Sequence, residues 1–507
     1  MLGPLESINI LIILPVNLGD IIMATPVCEG LKKKYKGAYI SFLVEEGFEE
    51  SIYNNPFCDK ILKIPRKEIK NVFNNISWKK GYELMQNFLK DIEKDKITNI
   101  INLSQTKYTA ILSTLIGAAN ITGQQYLKEG NYSISDEWSQ YLYAIPFARE
   151  CNNMHATDVY RRIAKVKSHL GGYTFALTDN EKKWAKDFLI NNNIDLNKKI
   201  VVFQPGAAFL SKCWPIEYFI KLGKLLINDD WQICILGAPS EKEIAEKISL
   251  SFSKNCISAA GKTTFRQSAA LVSFSNACVT GDTAIMHAAS ALKIPTYALF
   301  GSTNPVETGP YGNGNFILSG NCPQLPCFKT TCESMQCMKT ILPEYVYCCI
   351  KNTKDIYNLP CNIYKTFCDE NNDYYLKSIT KNCHKYFIEN NVCLVRNIFN
   401  EKWNCNPNSR VDFAKEIESL GRWLEIVSDL CNFLIRFEQK GNIDDIKKFE
   451  QKKRSLIEFN GVAAFCTALL NIRLNSIPIL SPKEAVKKSL EACWEIHKKV
   501  SKAITCI

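Results

Sequence analysis

A chain of 507 residues, 46% apolar and 22% charged, is too long for one ordinary core and too apolar for a disordered or collagen-like class. Its formal net charge of +11 suits anionic substrates or anionic surfaces, while no compact Lys/Arg block with interleaved aromatics marks a nucleic-acid partner. No apolar run reaches the ~18 residues that a membrane-spanning helix requires, so a cytoplasmic protein with at most peripheral membrane contact is expected.

Ile8 to Leu14 reads as a buried first strand and not a signal peptide: it follows Glu6, lacks a basic flank and runs into a turn. Asp20 to Tyr35 reads as a helix, Ala38 to Val44 as a second strand, and Ile97 to Leu103 and Ile121 to Thr122 as further strand signals. Such alternation predicts a parallel sheet wrapped by helices. Glu181 to Ile190 is helical and ends in the polar Asn191-Asn-Asn193, so a first lobe is placed at 1–180.

The pattern then restarts. Lys199 to Gln204 is a predicted strand, Pro205-Gly-Ala-Ala208 a turn, Pro215 to Ile227 a helix with Pro at its first position, and Gln232 to Leu236 a strand. Glu241 to Phe252 and Phe265 to Ser275 read as helices, Ala277 to Thr280 as a strand, Thr283 to Leu292 as a helix and Thr296 to Phe300 as a strand. This second lobe is placed at 195–350. Two doubly wound lobes put ligands at the carboxyl ends of their strands, across a cleft. From 355 to 507 the chain changes character: a Cys-, Asn- and Tyr-rich stretch with little periodicity precedes three predicted amphipathic helices, Asp412 to Gln439, Asp444 to Leu474 and Pro482 to Thr505.

Within the second lobe, Val279-Thr-Gly-Asp-Thr-Ala-Ile-Met-His287 is a strand that ends in a small-residue turn and opens a helix. Unpaired amides and the positive end of the helix dipole suit a phosphate there. Asp282, Thr283 and His287 add an acceptor, a hydroxyl and an imidazole, which points to an enzyme that handles a phosphorylated sugar or nucleotide.

Of 22 cysteines, seven lie singly in the first 300 residues and the other fifteen after residue 320. With no export signal they read as reduced thiols. Cys322, Cys327, Cys332 and Cys337 recur every fifth residue; four thiolates on a short loop suit a tetrahedral Zn or Fe ion, against the alternative of free structural thiols. Cys348, Cys349, Cys361, Cys368, Cys383, Cys393 and Cys405 show no spacing that selects ligands.

Five motifs in order resemble glycosyltransferase family 9, the ADP-heptose heptosyltransferases. They are Asn17-Leu-Gly-Asp20 with Ile21 to Pro26, Gln204-Pro-Gly-Ala207 with Ser211-Lys-Cys-Trp-Pro215, Gly281-Asp-Thr-Ala284 with His287, Leu299 to Pro305 with Thr308-Gly-Pro310, and Cys327 to Cys332 with Cys337-Met338. The match covers about residues 8 to 350. The resemblance implies an α/β architecture of two facing Rossmann-like lobes (the GT-B fold), with a Cys-rich and helical C-terminal addition. It also implies a donor nucleotide held mainly by the second lobe and inversion at the sugar carbon, with no metal required for transfer.

By the same resemblance, Asp20 is the candidate general base, and the bland alternative is a helix N-cap. Asn17 helps to position the acceptor or the diphosphate. Lys212 meets the diphosphate, against the default of a solvated lysine. Gly206 and Ala207 offer amides to phosphate, and Glu241 accepts the ribose hydroxyls, with Glu243 and a plain helix-dipole role as alternatives. Asp282, Thr283, Ala284 and His287 line the diphosphate and sugar. Ala284 stands where the family often has Gly, which raises the question of positive φ, and His287 has a core histidine as its alternative.

The donor implied is ADP-heptose, and the acceptor is a hydroxyl of the lipopolysaccharide core or of a protein. Family members that glycosylate autotransporter adhesins carry a cysteine-held iron near this loop, which tilts the reading toward protein. A nucleotide-sugar epimerase is the rival enzyme on the same fold. A non-catalytic assembly protein using the Cys-rich helical tail is the rival outside enzymes. The tail itself is expected to serve homo-oligomerisation or acceptor docking.

Overall fold

The computed structural model describes residues 8–127, 132–134, 136–149, 152, 154–167, 171–252, 255–380, 413–459, 461–477 and 481–505. Two sheets organise them. The first holds β1 (Asn9–Ile13), β2 (Tyr39–Glu45), β3 (Lys60–Ile64), β4 (Asn99–Asn102), β5 (Asn120–Tyr126) and β6 (Tyr132–Ile134) in the order β3-β2-β1-β4-β5-β6. All its pairs are parallel except β5 with β6.

The strand period of two is visible in the core. Ile10 and Ile12 of β1 enter one apolar cluster and Leu11 and Ile13 another, so both faces of the sheet are covered. Helices α1 (Leu18–Lys34), α5 (Glu137–Ala144) and α6 (Ala156–Ile163) supply the first cover. Helices α2 (Arg66–Asn75), α3 (Trp78–Glu93) and α4 (Lys107–Ile116) supply the second.

After α7 (Asp179–Asn191), the second sheet runs through β7 (Ile200–Gln204), β8 (Gln232–Ile235), β9 (Cys256–Ser258), β10 (Ala277–Gly281), β11 (Thr296–Phe300) and β12 (Phe316–Ser319). These six are parallel. Two more strands, β13 (Asn362–Cys368) and β14 (Tyr374–Ser378), add antiparallel at the edge, giving the order β14-β13-β12-β11-β10-β7-β8-β9. The boundary expected at 350 to 355 therefore falls inside this lobe. Tyr364 and Tyr374, read as part of an irregular stretch, are buried.

The connecting helices are α8 (Ile216–Asn228), α9 (Lys242–Ser249), α10 (Phe265–Val272) and α11 (Ala284–Ala291). Pro215 is the cap of α8 and not its first residue. Strand order reverses between β1 and β4 and between β7 and β10, and α1 and α11 begin beside those two points.

Buried ion pairs join the lobes. Asp158 on α6 accepts from Arg161 at 2.7 Å, from the Tyr311 hydroxyl at 2.6 Å and from the Tyr374 amide at 2.9 Å. Arg161 and Arg162 also reach Asp373, at 2.9 and 2.7 Å. On the far side, Arg266 of α10 donates to Glu181 and to the carbonyls of Glu50, Tyr53 and Ala176.

Four tail helices are described where three were expected: Phe413–Lys440, Ile443–Arg454, Gly461–Asn475 and Pro482–Thr505. The run Asp444 to Leu474 is broken by a short 3₁₀ turn at Ser455–Glu458. These helices pack on α5: Phe465 meets Tyr141 edge to face at 5.4 Å, Arg473 donates to Gln140 at 3.1 Å, and Lys499 pairs with Glu137. Among the described residues no helix is long and apolar enough to cross a membrane.

Candidate active site

One cleft of about 840 Å³ lies between the lobes. Asn17, Asp20, Gly206, Ala207, Lys212, Glu241, Asp282, Thr283, Ala284 and His287 all line it. The residues drawn together by sequence from four separate segments thus meet at the carboxyl edges of both sheets.

Asn17, not Asp20, is the N-cap of α1, and its side chain makes no capping bond. It donates instead to Asp20 Oδ2 at 3.2 Å. Asp20 sits in the first helical turn facing the cleft, so the N-cap alternative is overturned. Loss of solvent pushes its carboxyl up to about 6; the Asn17 bond opposes the shift, the charges of Asp282 and Glu307 add to it, and Lys212 opposes it. A carboxylate with that affinity for a proton is poised to take one near neutral pH.

Lys212 ends a 3₁₀ turn at Leu210–Lys212, and its Nζ lies 2.7 Å from Asp282 Oδ2 with only 14% of the side chain exposed. It is not a solvated surface lysine. Glu241, which lines the same cleft, ends a short turn before α9. Its Oε2 accepts from Gln204 Nε2 at 3.0 Å and from the Ala238 amide at 2.8 Å. A Cβ on Gly206 would fall 2.0 Å from Glu241 Cδ, so glycine there makes room for this carboxylate. Glu243 is not among the lining residues.

Thr283 caps α11 through its backbone alone; its hydroxyl bonds Thr280 at 2.9 Å. The first amides of α11 therefore have no side-chain partner from their own cap. Ala284 is the first residue of this helix and has no positive φ, so the methyl imposes no backbone strain. His287 is buried yet lines the cleft, and its Nδ1 has no hydrogen-bond partner. Burial pulls its pKa down to about 4, with Asp282 opposing and His155 and Lys212 adding, so it is neutral at physiological pH.

Three residues went unread in the sequence. Glu307 enters the cleft held by Asn152 Nδ2 at 2.9 Å, and burial raises its pKa while Arg149 opposes. Arg149 stacks over Phe328 at 4.2 Å. His155 caps α6 and donates from Nε2 to the Gly309 carbonyl at 2.9 Å, because Nδ1 already accepts from the Thr157 amide. Glu307 lies inside a motif that carried the family resemblance, which was the available signal; nothing in the residues around Arg149 marks it.

The Cys-rich loop packs beneath the Lys212 turn. Ser211 N–H donates to the Thr330 carbonyl at 3.2 Å, and Phe328 N–H to Ser302 at 2.9 Å. Cys337 is buried, which pushes its thiol up to about 11, with the charges of Cys322, Cys327 and Cys332 adding. Among the described residues no three His, Cys, Asp or Glu side chains converge as a metal site. The four thiols as placed do not form a coordination shell. Cys348, Cys349 and Cys368 are free thiols and Cys361 Sγ lies 3.7 Å from the Ser319 carbonyl, while Cys383, Cys393 and Cys405 lie outside the described residues.

The sequence model of glycosyltransferase family 9 (heptosyltransferase) matches residues 85–338, half of the chain. The chain is 22% identical over 329 residues to lipopolysaccharide heptosyltransferase 1 of Pseudomonas aeruginosa, covering 64% of this chain and 87% of the relative. It is 26% identical over 347 residues to lipooligosaccharide heptosyltransferase 2 of Campylobacter jejuni, covering 67% of this chain and 96% of the relative. Among solved structures, a family 9 glycosyl transferase from Veillonella parvula superposes with TM-score 0.57 at 20% identity, over 69% of this chain and 99% of that one. The ADP-heptose LPS heptosyltransferase II of E. coli superposes with TM-score 0.52 at 18% identity, over 68% and 98%. These two likenesses carry the fold: two facing Rossmann-like lobes.

Proposed function

The chain belongs to glycosyltransferase family 9, and on that premise we propose that it transfers heptose from ADP-heptose to a hydroxyl of a lipopolysaccharide core acceptor. One observation carries the reading: Asp20 from the first lobe and Lys212 with the α11 amides from the second line the same cleft. The relatives matched over most of their length carry lipopolysaccharide or lipooligosaccharide in their names, which supports this acceptor over a protein hydroxyl.

In the proposed step Asp20 takes the proton of the acceptor hydroxyl as its oxygen forms a bond to the anomeric carbon. The bond from that carbon to the β-phosphate oxygen breaks on the opposite face, ADP leaves with the electron pair, and configuration inverts. Lys212 exchanges its contact with Asp282 for the diphosphate. The amides of Ala207, Thr283 and Ala284 add donors without further charge, and Gly206 keeps the Glu241 carboxylate close to the nucleoside side. Glu241 receives the ribose hydroxyls. His287, neutral, offers a hydrogen bond and not a charge to the sugar or phosphate.

A single incubation tests the proposal: purified protein with ADP-heptose and separate pools of core glycolipid and of protein acceptors, read by mass spectrometry for added heptose. ADP released only when an acceptor is present, with heptose on the glycolipid, is the expected result. Heptose found only on protein moves the acceptor assignment, and ADP-sugar isomerised without an acceptor restores the epimerase reading. Zn or Fe on Cys322, Cys327, Cys332 and Cys337 remains a separate proposal. It requires the loop to close up around the ion; elemental analysis of the same sample decides it, and no step of transfer depends on it.

A further inference from the structure

The turn between α2 and α3 carries an unusual surface. Ile76 is 60% exposed, Trp78 74%, Tyr82 55% and Phe73 40%. So much apolar and aromatic surface left to solvent on one turn is more than packing the two helices requires. A Cβ on Gly81 would come 2.7 Å from the Phe73 ring, so α2 and α3 are closely packed and the aromatic groups are fixed to one rigid tip. Trp78 and Tyr82 are one helical turn apart on the same face of α3.

Charge surrounds this tip. Lys67, Lys70, Lys79 and Lys80 are all exposed, and with Arg66 they outnumber Glu68 and Glu83, the acids of the same stretch. Trp and Tyr favour the boundary between water and hydrocarbon, and lysines beside them favour an anionic headgroup layer.

Topology places the tip. Strand β3 delivers the chain to the carboxyl edge of the first sheet, where α2 begins, and α3 ends near Asp95, which pairs with Lys60 at the opposite edge. Sixteen residues of α3 span about 24 Å. Trp78 therefore lies on the carboxyl-edge side, the side on which Asp20 faces the cleft.

We propose that the α2–α3 tip, with Phe73, Ile76, Trp78 and Tyr82 inserted and Lys67, Lys70, Lys79 and Lys80 around them, docks the protein on an anionic lipid surface. The occupant is the membrane and not a second copy, because an aromatic tip ringed by like charge repels its own image and attracts an anionic layer. This deepens the glycolipid reading and rests on it for its purpose. Its deciding measurement, vesicle binding, contains neither donor nor acceptor, so the two fail separately.

The test is co-sedimentation of the full chain with vesicles of phosphatidylcholine alone and of phosphatidylcholine with phosphatidylglycerol, at low and at physiological salt. Binding to the anionic vesicles only, weakened by salt, is expected. The double variant Lys79→Glu/Lys80→Glu is expected to lose about tenfold in partitioning. Trp78→Ser is expected to lose binding and the quenching of tryptophan fluorescence by brominated lipid. Both should keep the wild-type melting temperature and acceptor-dependent ADP release with a soluble acceptor. Wild-type protein that ignores anionic vesicles, or variants that bind them unchanged, overturns the proposal. So does light scattering that shows a wild-type dimer which the lysine variant dissolves.

Discussion

Gly19 of the first lobe lies against His287 of the second: a Cβ on Gly19 would come 2.9 Å from the imidazole Cδ2 and 3.8 Å from Ala284 Cα. The two phosphate-edge helices thus meet with no room for a methyl group. Gly19→Ala is expected to force the His287 ring or the lobe spacing to shift, since an overpacked contact costs about 1–3 kcal/mol. Acceptor-dependent turnover should fall about tenfold or more, with a modest loss of melting temperature. Wild-type turnover in this variant would mean that the lobes do not need this approach.

Asp20 yields a pH prediction with a definite sign. Its carboxyl is raised from 3.8 to about 6, chiefly by lost solvation, so the ionised base is depleted below about pH 6. The rate with saturating donor should decline as pH falls through that value. Asp20→Ala should lose about 10²–10⁴-fold in turnover while donor affinity, measured by calorimetry, stays near wild type. The same shift bears on stability. The protonated form is favoured in the folded state, so this residue's contribution is fully present below pH 3.8 and lost as pH rises through about 6. Asp20→Asn is therefore expected to melt higher than wild type at neutral pH and equally at pH 3.5. Equal melting at both pH values would remove the buried-carboxylate explanation.

Much of this was legible beforehand, for identifiable reasons. Ile8 to Leu14 and Lys199 to Gln204 are apolar runs that end in turn residues, and β1 and β7 lie within a residue or so of those bounds. Short-range rules suffice there, because a central parallel strand is buried on both faces. Strand β3 carries lysine at two of its five positions (Lys60 and Lys63), and β13 and β14 are rich in Tyr, Lys and Thr, so their partners and not their composition settle them. The site divides in the same way. Asp20, Lys212 and His287 stand in motifs with local turn chemistry. Glu307 lies within a motif, but its place in the cleft is set by Asn152, 155 residues away; Arg149, which lies over Phe328, has no local signature.

Lys212 and Asp282 form a close pair, 2.7 Å apart and mostly enclosed. Lys212→Ala removes the cation intended for the diphosphate and leaves Asp282 as an uncompensated negative charge beside it. Donor binding and turnover are both expected to fall, each by about 10²-fold or more. Lys212→Ala/Asp282→Asn should recover part of the binding loss but not the rate. Normal ADP-heptose affinity in the single variant would count against a phosphate role.

The region beyond residue 350 is expected to be inseparable from the catalytic lobes. A chain ending near residue 352 loses Asp373, the partner of Arg161 and Arg162, and Tyr374, whose amide serves Asp158. Arg161 is 4% exposed, so its remaining charge has little access to water. Removing one member of such a buried set costs about 3–5 kcal/mol, a large part of the about 5–15 kcal/mol that holds a typical domain. It also strips Tyr311 of the Tyr374 ring stacked on it, 5.6 Å between centroids. The shortened chain should express poorly, melt far below the full chain and bind no donor. Asp373→Ala, which keeps every strand, should show part of the same loss in a denaturant titration. A shortened chain that melts and turns over like the full one would show that the lobes stand together without this strap, and would return residues 355–507 to the role of a detachable addition.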